Sequence, residues 1–207
     1  MDKDNILDIL TEKSLEEAML RKGYSYFKSG DYNLNIIGIR TDHGGKVTNK
    51  FDDVMLVFYR VGGVLVKKVY AITTEPGRYY MKEKLGNSKG TAIMVPGQYR
   101  GCWEIGKHNG KYDALVQKKA VKVYRDKNKD LVYDMDPEKV DNGVFGINIH
   151  RSSQYGTSTS VDNWSAGCQV FASAKDFKEF MGICEKQRKL YGNSFTYTLL
   201  EEKDLVG

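Results

Sequence analysis

Three cysteines, three prolines and three histidines are scattered through a chain of 207 residues. Each scarcity excludes something. Cys102, Cys168 and Cys184 are too few and too widely spaced for a disulfide framework or a tetrahedral zinc site. An odd number of thiols without Cys-rich spacing suits synthesis in a reducing compartment. No long apolar run is present, which excludes a transmembrane helix. The opening Met1-Asp2-Lys3-Asp4-Asn5 lacks the apolar stretch of a secretory signal, so cytoplasmic synthesis without a leader is expected. Charge of one sign is also modest: the net value of +5 and pI near 8.9 come from lysines spread along the chain. Such a balance serves solubility and weakly favours an anionic polymer such as a bacterial wall. No aromatic-and-basic module appears, so no nucleic-acid partner is expected, and no cofactor either.

What the chain does carry is glue for a folded domain. Hydrophobic residues make up 41% and aromatics 12%, which excludes disorder. The length allows one well-buried domain with an appendage. Fourteen tyrosines and 21 glycines against so few prolines point to a β-rich architecture with many turns. Residues Asp4 to Ser29 read as helical, with Ser14 and Glu17 as a capping box and Ser29-Gly30-Asp31 as the stop. This segment, 1–32, is expected to be an N-terminal helical extension that packs on the main domain or docks a partner. Strands are predicted at Leu34–Ile39, Val54–Arg60, Val64–Thr73, Thr91–Val95, Gln98–Ile105, Ala114–Val116, Val121–Tyr124, Val144–His150 and Phe195–Leu200. Gly62-Gly63 marks a hairpin between the second and third of these. A helix is predicted at Ala174–Leu190, capped by Ser173, with Phe177, Phe180, Met181 and Cys184 on a core face. Cys102 and Cys184 read as structural.

The chemistry concentrates in Ile147-Asn148-Ile149-His150, followed after fourteen residues by Ser165-Ala166-Gly167-Cys168. A histidine ends an apolar strand, and a cysteine sits in a turn of small residues. A free thiol is a poor nucleophile at neutral pH until a base or a positive charge favours its thiolate. Small residues let backbone N–H groups approach a developing oxyanion. The pattern points to a cysteine enzyme attacking a carbonyl, with Cys168 as nucleophile, His150 as base and Gly167 in the oxyanion turn. The bland alternative is a buried thiol and a satisfied structural histidine that never meet.

These residues resemble the signature of the L,D-transpeptidase catalytic domain, the YkuD-like family: a strand ending in His, a similar spacer, then Ser/Thr-His-Gly-Cys. Val95-Pro96-Gly97-Gln98-Tyr99 resembles the hairpin that precedes the catalytic strand in that family, and the resemblance spans about Asn33 to Leu200. It implies a β-sandwich or barrel over 33–207 with one C-terminal helix packed on it, and thioester chemistry on peptidoglycan stem peptides. Ser165, Ala166 and Arg151, next to the catalytic pair, are the candidate substrate-binding positions, and His108 joins them from a separate loop. The chain departs from the pattern at Ala166, where the family has its second histidine. It departs again at Gln169-Val170 after the cysteine and at Arg151 after His150. A wall enzyme without a leader is expected to act after lysis or from a virion, as a bacteriophage endolysin would, so hydrolysis is preferred over cross-linking. The competing expectation is an inactive wall-binding or virion structural protein on the same fold. A sortase-like enzyme would need a much longer spacer and a later catalytic arginine. The third group that orients His150 is left open among a backbone carbonyl, Arg151 and Ser152.

Two further clusters stand apart. Asp126-x-Asn128-x-Asp130, with Asp134 and Asp136 beyond, has the spacing of calcium-loop ligands. Leu131 stands where the sharp turn usually takes Gly, and Pro137 where a bidentate carboxylate is usual, so no metal is assigned and a solvated loop is expected. The loop Gly106 to Tyr112 presents His108 with two cations; it either lines the substrate groove, meeting a carboxylate, or is a turn with an exposed histidine, the preferred reading. His43 is read as part of a surface turn.

Overall fold

The computed structural model describes residues 10–84 and 87–205, and builds them into a closed eight-stranded barrel, a three-stranded sheet and two helices. Helix α1 is Glu12–Arg21 and α2 is Ala174–Tyr191. The strands are β1 (Asn35–Arg40), β2 (Asp53–Val61), β3 (Val64–Thr73), β4 (Thr91–Met94), β5 (Gly97–His108) and β6 (Tyr112–Gln117). They continue with β7 (Val121–Asp126), β8 (Val140–Gly143), β9 (Ile149–Arg151), β10 (Gln169–Phe171) and β11 (Phe195–Glu201). Around the barrel the order is β1-β11-β5-β6-β9-β10-β3-β2, and β4-β7-β8 form the smaller sheet. Closure leaves the barrel no free edge to pair with another chain. The β-rich reading with a C-terminal helix therefore holds.

Most elements fall where periodicity placed them. Gly62 and Gly63 both adopt positive φ, at 57° and 81°, as the tight hairpin between β2 and β3 requires. Ser173 caps α2 by accepting the Asp176 N–H. Phe177, Phe180, Ile183 and Cys184 of α2 are buried, and the two phenylalanines pack on Phe171 of β10. Burying a phenylalanine is worth roughly 2–3 kcal/mol, so this aromatic cluster is what ties the helix to the strand that follows the candidate cysteine.

The N-terminal helix is shorter than predicted. Its cap is Thr11, whose hydroxyl accepts the Ser14 N–H, so Ser14 lies inside the first turn and is not the cap itself. It ends at Lys22, because Gly23 turns left-handed at φ 71°. Residues 24–29 run on without helical structure. They are held by side chains instead, Gln98 on Ser25 and Asn35 on Phe27. Positions 4–9 of the predicted helix lie outside the described residues. Leu15 and Met19 pack with Ile37, Leu56, Phe58 and Leu200, so the extension covers the outside of β1, β2 and β11.

The predicted strand Val144–His150 is also corrected. Only Ile149–Arg151 pairs as β9. The preceding stretch is captured by side chains: Gln117 accepts the N–H groups of Phe145 and Ile147 through one oxygen and donates to Gly143 O, and Trp103 Nε1 donates to Ile147 O. Backbone groups bound by side chains cannot also enter a ladder.

Beside the barrel mouth, Arg40, Asp53 and Glu75 are buried together. Arg40 lies 3.3 Å from Glu75, while Asp53 accepts from Thr41 N and Thr74 N. Burial, followed by the nearby carboxylates against the opposing Arg40 charge, raises Glu75 to about 8. A carboxyl raised above its unfolded value contributes stability below about pH 4.5 that is lost as pH climbs through the folded value. Glu75→Gln should therefore raise Tm by roughly 2 °C or more at about pH 9 and leave it unchanged near pH 4. Thermal unfolding at both pH values checks this; equal shifts at both would mean that Glu75 is not carrying the titration.

Candidate active site

Strands β9 and β10 run parallel, with Gln169 opposite Ile149 and Val170 opposite His150. That register sets Cys168, at the entry of β10, level with Asn148 at the entry of β9. The thiol is held by the segment before β9: Asn148 N–H donates to Sγ at 3.4 Å, and Sγ–H donates to Gly146 O at 3.4 Å. His150 lies two residues on, facing the same side as Asn148. Cys168, His150, Arg151, Ala166 and His108 all line one cavity of about 920 Å³.

The structure answers what orients His150. Its Nδ1 lies 2.8 Å from the Arg151 carbonyl oxygen, and a carbonyl only accepts, so Nδ1 carries the proton and Nε2 keeps its lone pair. Tyr112 OH donates to the same carbonyl at 3.2 Å. The Arg151 guanidinium stacks on the Tyr112 ring with its carbon 4.1 Å from the centroid. His108 stacks on His150 with ring centroids 4.0 Å apart and accepts from Asn148 Nδ2. The turn reading for His108 is thus replaced: the residue closes the β5 strand, half-buried against the His150 ring. Spacing alone gave no signal for this, because the two histidines come from strands on either side of β6.

The turn that carries the cysteine is built differently from expectation. Ser165 is fully buried, and its hydroxyl donates to Cys168 O and accepts the Gly167 N–H. Ser165 therefore shapes the turn and does not reach a substrate, and Gly167 has no N–H left for an oxyanion. Gly167 is needed for another reason: its φ is 121°, and a Cβ there would sit 2.4 Å from Ala92 O. Among the described residues, the N–H groups of Ala166 and Cys168 make no hydrogen bond, and these are the donors left in the turn. Gln169 points into the barrel, where it accepts the Tyr197 hydroxyl at 2.7 Å.

Electrostatically the pair is neutral. Burial, then the His108 ring, pushes His150 down to about 3. Burial pushes the Cys168 thiol up to about 11, with the Asn148 N–H opposing. No hydrogen bond joins Sγ to the His150 ring among the described residues. Thiol and imidazole therefore line one cavity as neutral groups, and any proton transfer between them would have to accompany reaction. The cavity lining contains Lys111 and Arg151 and no carboxylate, so it favours an anionic ligand. Tyr155 and Trp164, 77% and 41% exposed, stand on its rim.

Gln117, which the sequence reading passed over, is the residue that fastens the thiol's cradle. Its signal was weak: a lone glutamine at the end of a strand. No protein-family model matches the chain, and neither a curated protein nor a solved structure matches it.

Two outcomes follow from this geometry. Alkylation of Cys168 by iodoacetamide should rise about tenfold per pH unit from pH 7 upward with no plateau at mildly acidic pH. A plateau there would mean a thiolate–imidazolium pair. Gln117→Leu should cost roughly 2–4 kcal/mol in denaturant unfolding, because it orphans the buried Ile147 N–H and the partly buried Phe145 N–H, and should change Cys168 alkylation relative to wild type.

Proposed function

We propose that this chain is a cysteine-dependent acyl-transfer enzyme acting on peptidoglycan stem peptides, a divergent relative of the L,D-transpeptidases. The observation that carries the reading is the one cavity lined by both Cys168 and His150, whose tautomer is fixed by the Arg151 carbonyl. A lone pair on Nε2 is what a general base needs, and a backbone carbonyl supplies the orienting role that a carboxylate fills in serine enzymes. In the proposed reaction His150 Nε2 takes the thiol proton as Sγ attacks a peptide carbonyl. The Cys168 N–H, with that of Ala166, faces the developing charge. His150 then returns the proton to the departing amine, leaving a thioester. Water resolves it to a free carboxylate, or a second amine resolves it to a new cross-link.

Hydrolysis is the preferred direction, in an endolysin or other cell-wall hydrolase that reaches the wall after lysis or from a virion. The cationic lining supports a substrate bearing carboxylates, and Tyr155 and Trp164 offer flat faces to a glycan or peptide. The second reading is a wall-binding or virion structural protein that kept the fold. The observation in its favour is the thiol at about 11, hydrogen-bonded to Gly146 O and not to His150.

Mass spectrometry of purified muropeptides incubated with wild type and with Cys168→Ala separates the two. New cleaved or cross-linked products with wild type alone, at least about a hundredfold above the variant, are expected. Binding to sacculi without any product, unchanged in Cys168→Ala, would move the protein to the structural reading.

A further inference from the structure

The two stacked imidazoles of the cavity carry their protons on opposite nitrogens. The backbone N–H of Gln117 donates to Asn148 Oδ1 at 2.9 Å. A backbone N–H can only donate, so this contact fixes which end of the Asn148 amide is oxygen. The other end, Nδ2, lies 3.0 Å from His108 Nδ1 and can itself only donate. His108 Nδ1 therefore holds a lone pair. A neutral imidazole has one N–H, which puts the His108 proton on Nε2. Burial, then the Arg151 charge, hold His108 below the usual histidine range and so keep the ring neutral. His150 is the opposite case, its proton held on Nδ1 by the Arg151 carbonyl.

The His108 Nε2–H is lightly engaged. Among the described residues only the exposed Asn109 side chain stands against it, with its amide nitrogen 3.0 Å away. Two donors cannot bond each other, so the Asn109 amide turns over to present its oxygen, which an exposed side chain does freely. An acceptor on a ligand can take that place. His108, Asn109, His150 and Cys168 line the same cavity. One residue sets both donor and thiol: Asn148 reaches Sγ through its backbone N–H at 3.4 Å and His108 through its amide. The two rings stack with centroids 4.0 Å apart and planes 19° from parallel. Within that stack one Nε2 offers a lone pair and the other an N–H.

We infer that His108 is a further catalytic residue, whose Nε2–H donates to the oxygen of the carbonyl that Cys168 attacks. The inference rests on the acyl-transfer reading of the site. As the S–C bond forms, the C=O electron pair moves onto oxygen and the thiol proton passes to His150 Nε2. His108 keeps its proton throughout and bonds the developing charge, together with the N–H groups of the turn. A neutral ring suits this place, because an imidazolium there would meet the Arg151 charge.

Long-range proton–nitrogen NMR of the wild type reads the tautomers directly. His108 is expected as Nε2–H, and a proton on Nδ1 would overturn the assignment. The role is tested on Cys168 itself, followed by mass spectrometry. Acetylation by p-nitrophenyl acetate passes through an oxyanion, whereas alkylation by iodoacetamide does not. His108→Phe keeps a stacked ring without a donor and should lower the ratio of acetylation to alkylation by about tenfold or more. His108→Gln restores an N–H and should recover most of that ratio. Equal ratios in wild type and His108→Phe would overturn the role, as would an equal loss in His108→Gln or a wild-type Cys168 that does not acetylate. A ratio that falls as expected, in a protein that yields no muropeptide product, would keep the role of His108 and remove only the peptidoglycan reading.

Discussion

β9 and β10 are three residues long and run side by side in parallel, a pairing that offers few hydrogen bonds of its own. Everything proposed for the thiol depends on that short register, and Gln117 is what holds it. One side-chain oxygen receives two N–H groups from the segment before β9, and the amide nitrogen reaches Lys119 O and Gly143 O. The backbone N–H of the same residue donates to Asn148 Oδ1, which leaves the Asn148 amide nitrogen for His108. A single buried glutamine thus sets the height of Asn148, and Asn148 sets both the thiol and the outer histidine. A network of this kind is rigid only while every member is satisfied.

The same burial that fixes the geometry decides the electrostatics. His150 is sealed beneath His108, with the Arg151 and Lys111 charges at the cavity wall, so protonating it would bury a cation among cations. The thiol, in turn, receives one backbone N–H, too little to stabilise a thiolate. A neutral thiol resists oxidation and alkylation, since the thiolate is the reactive form. On the proposed reading the work of activation then falls to the bound substrate, which must exclude water and bring its carbonyl against the N–H groups of Ala166 and Cys168.

Local periodicity made most of the barrel legible. Alternation and the Gly62-Gly63 turn placed β2 and β3 within a residue or two, and the Ser173 cap placed α2. What failed did so where side chains replace backbone ladders. Residues 144–148 are apolar enough to read as strand, yet Gln117 and Trp103 hold their backbone. Thr11 and Ser14 compete for one cap, and only the three-dimensional fit of Leu15 against β1 and β2 decides between them. At the site, the spacing pointed to a strand histidine and a turn cysteine, and the two line one cavity. The roles of Ser165, Gly167 and His108 were not, because each depends on contacts across the barrel: Ala92 O behind Gly167, and β6 between the two histidines. Gln169, where the sequence leaves the pattern it resembles, has a physical reason of the same kind. Gln169 is buried and bonded to Tyr197, whose hydroxyl occupies the space that a side chain at Gly38 would fill.

The acidic loop leads through β8 toward the segment that holds the thiol, and the wiring between them decides how far a disturbance in one reaches the other. The loop ends in β8, and β8 ends at Gly143, whose carbonyl is held by Gln117. Gln117 itself belongs to β6 of the barrel, whose other side is tied to β5 along six residue pairs. A disturbance travelling down β8 therefore meets a clamp anchored in the more extensive sheet before it reaches Gly146 and the thiol. The loop is pinned separately to the 45–47 segment and, through the Tyr133 hydroxyl, to Pro76 O. Movement of this loop therefore acts on the three-stranded sheet and its seam with the barrel, while the geometry at Cys168 stays set by the barrel.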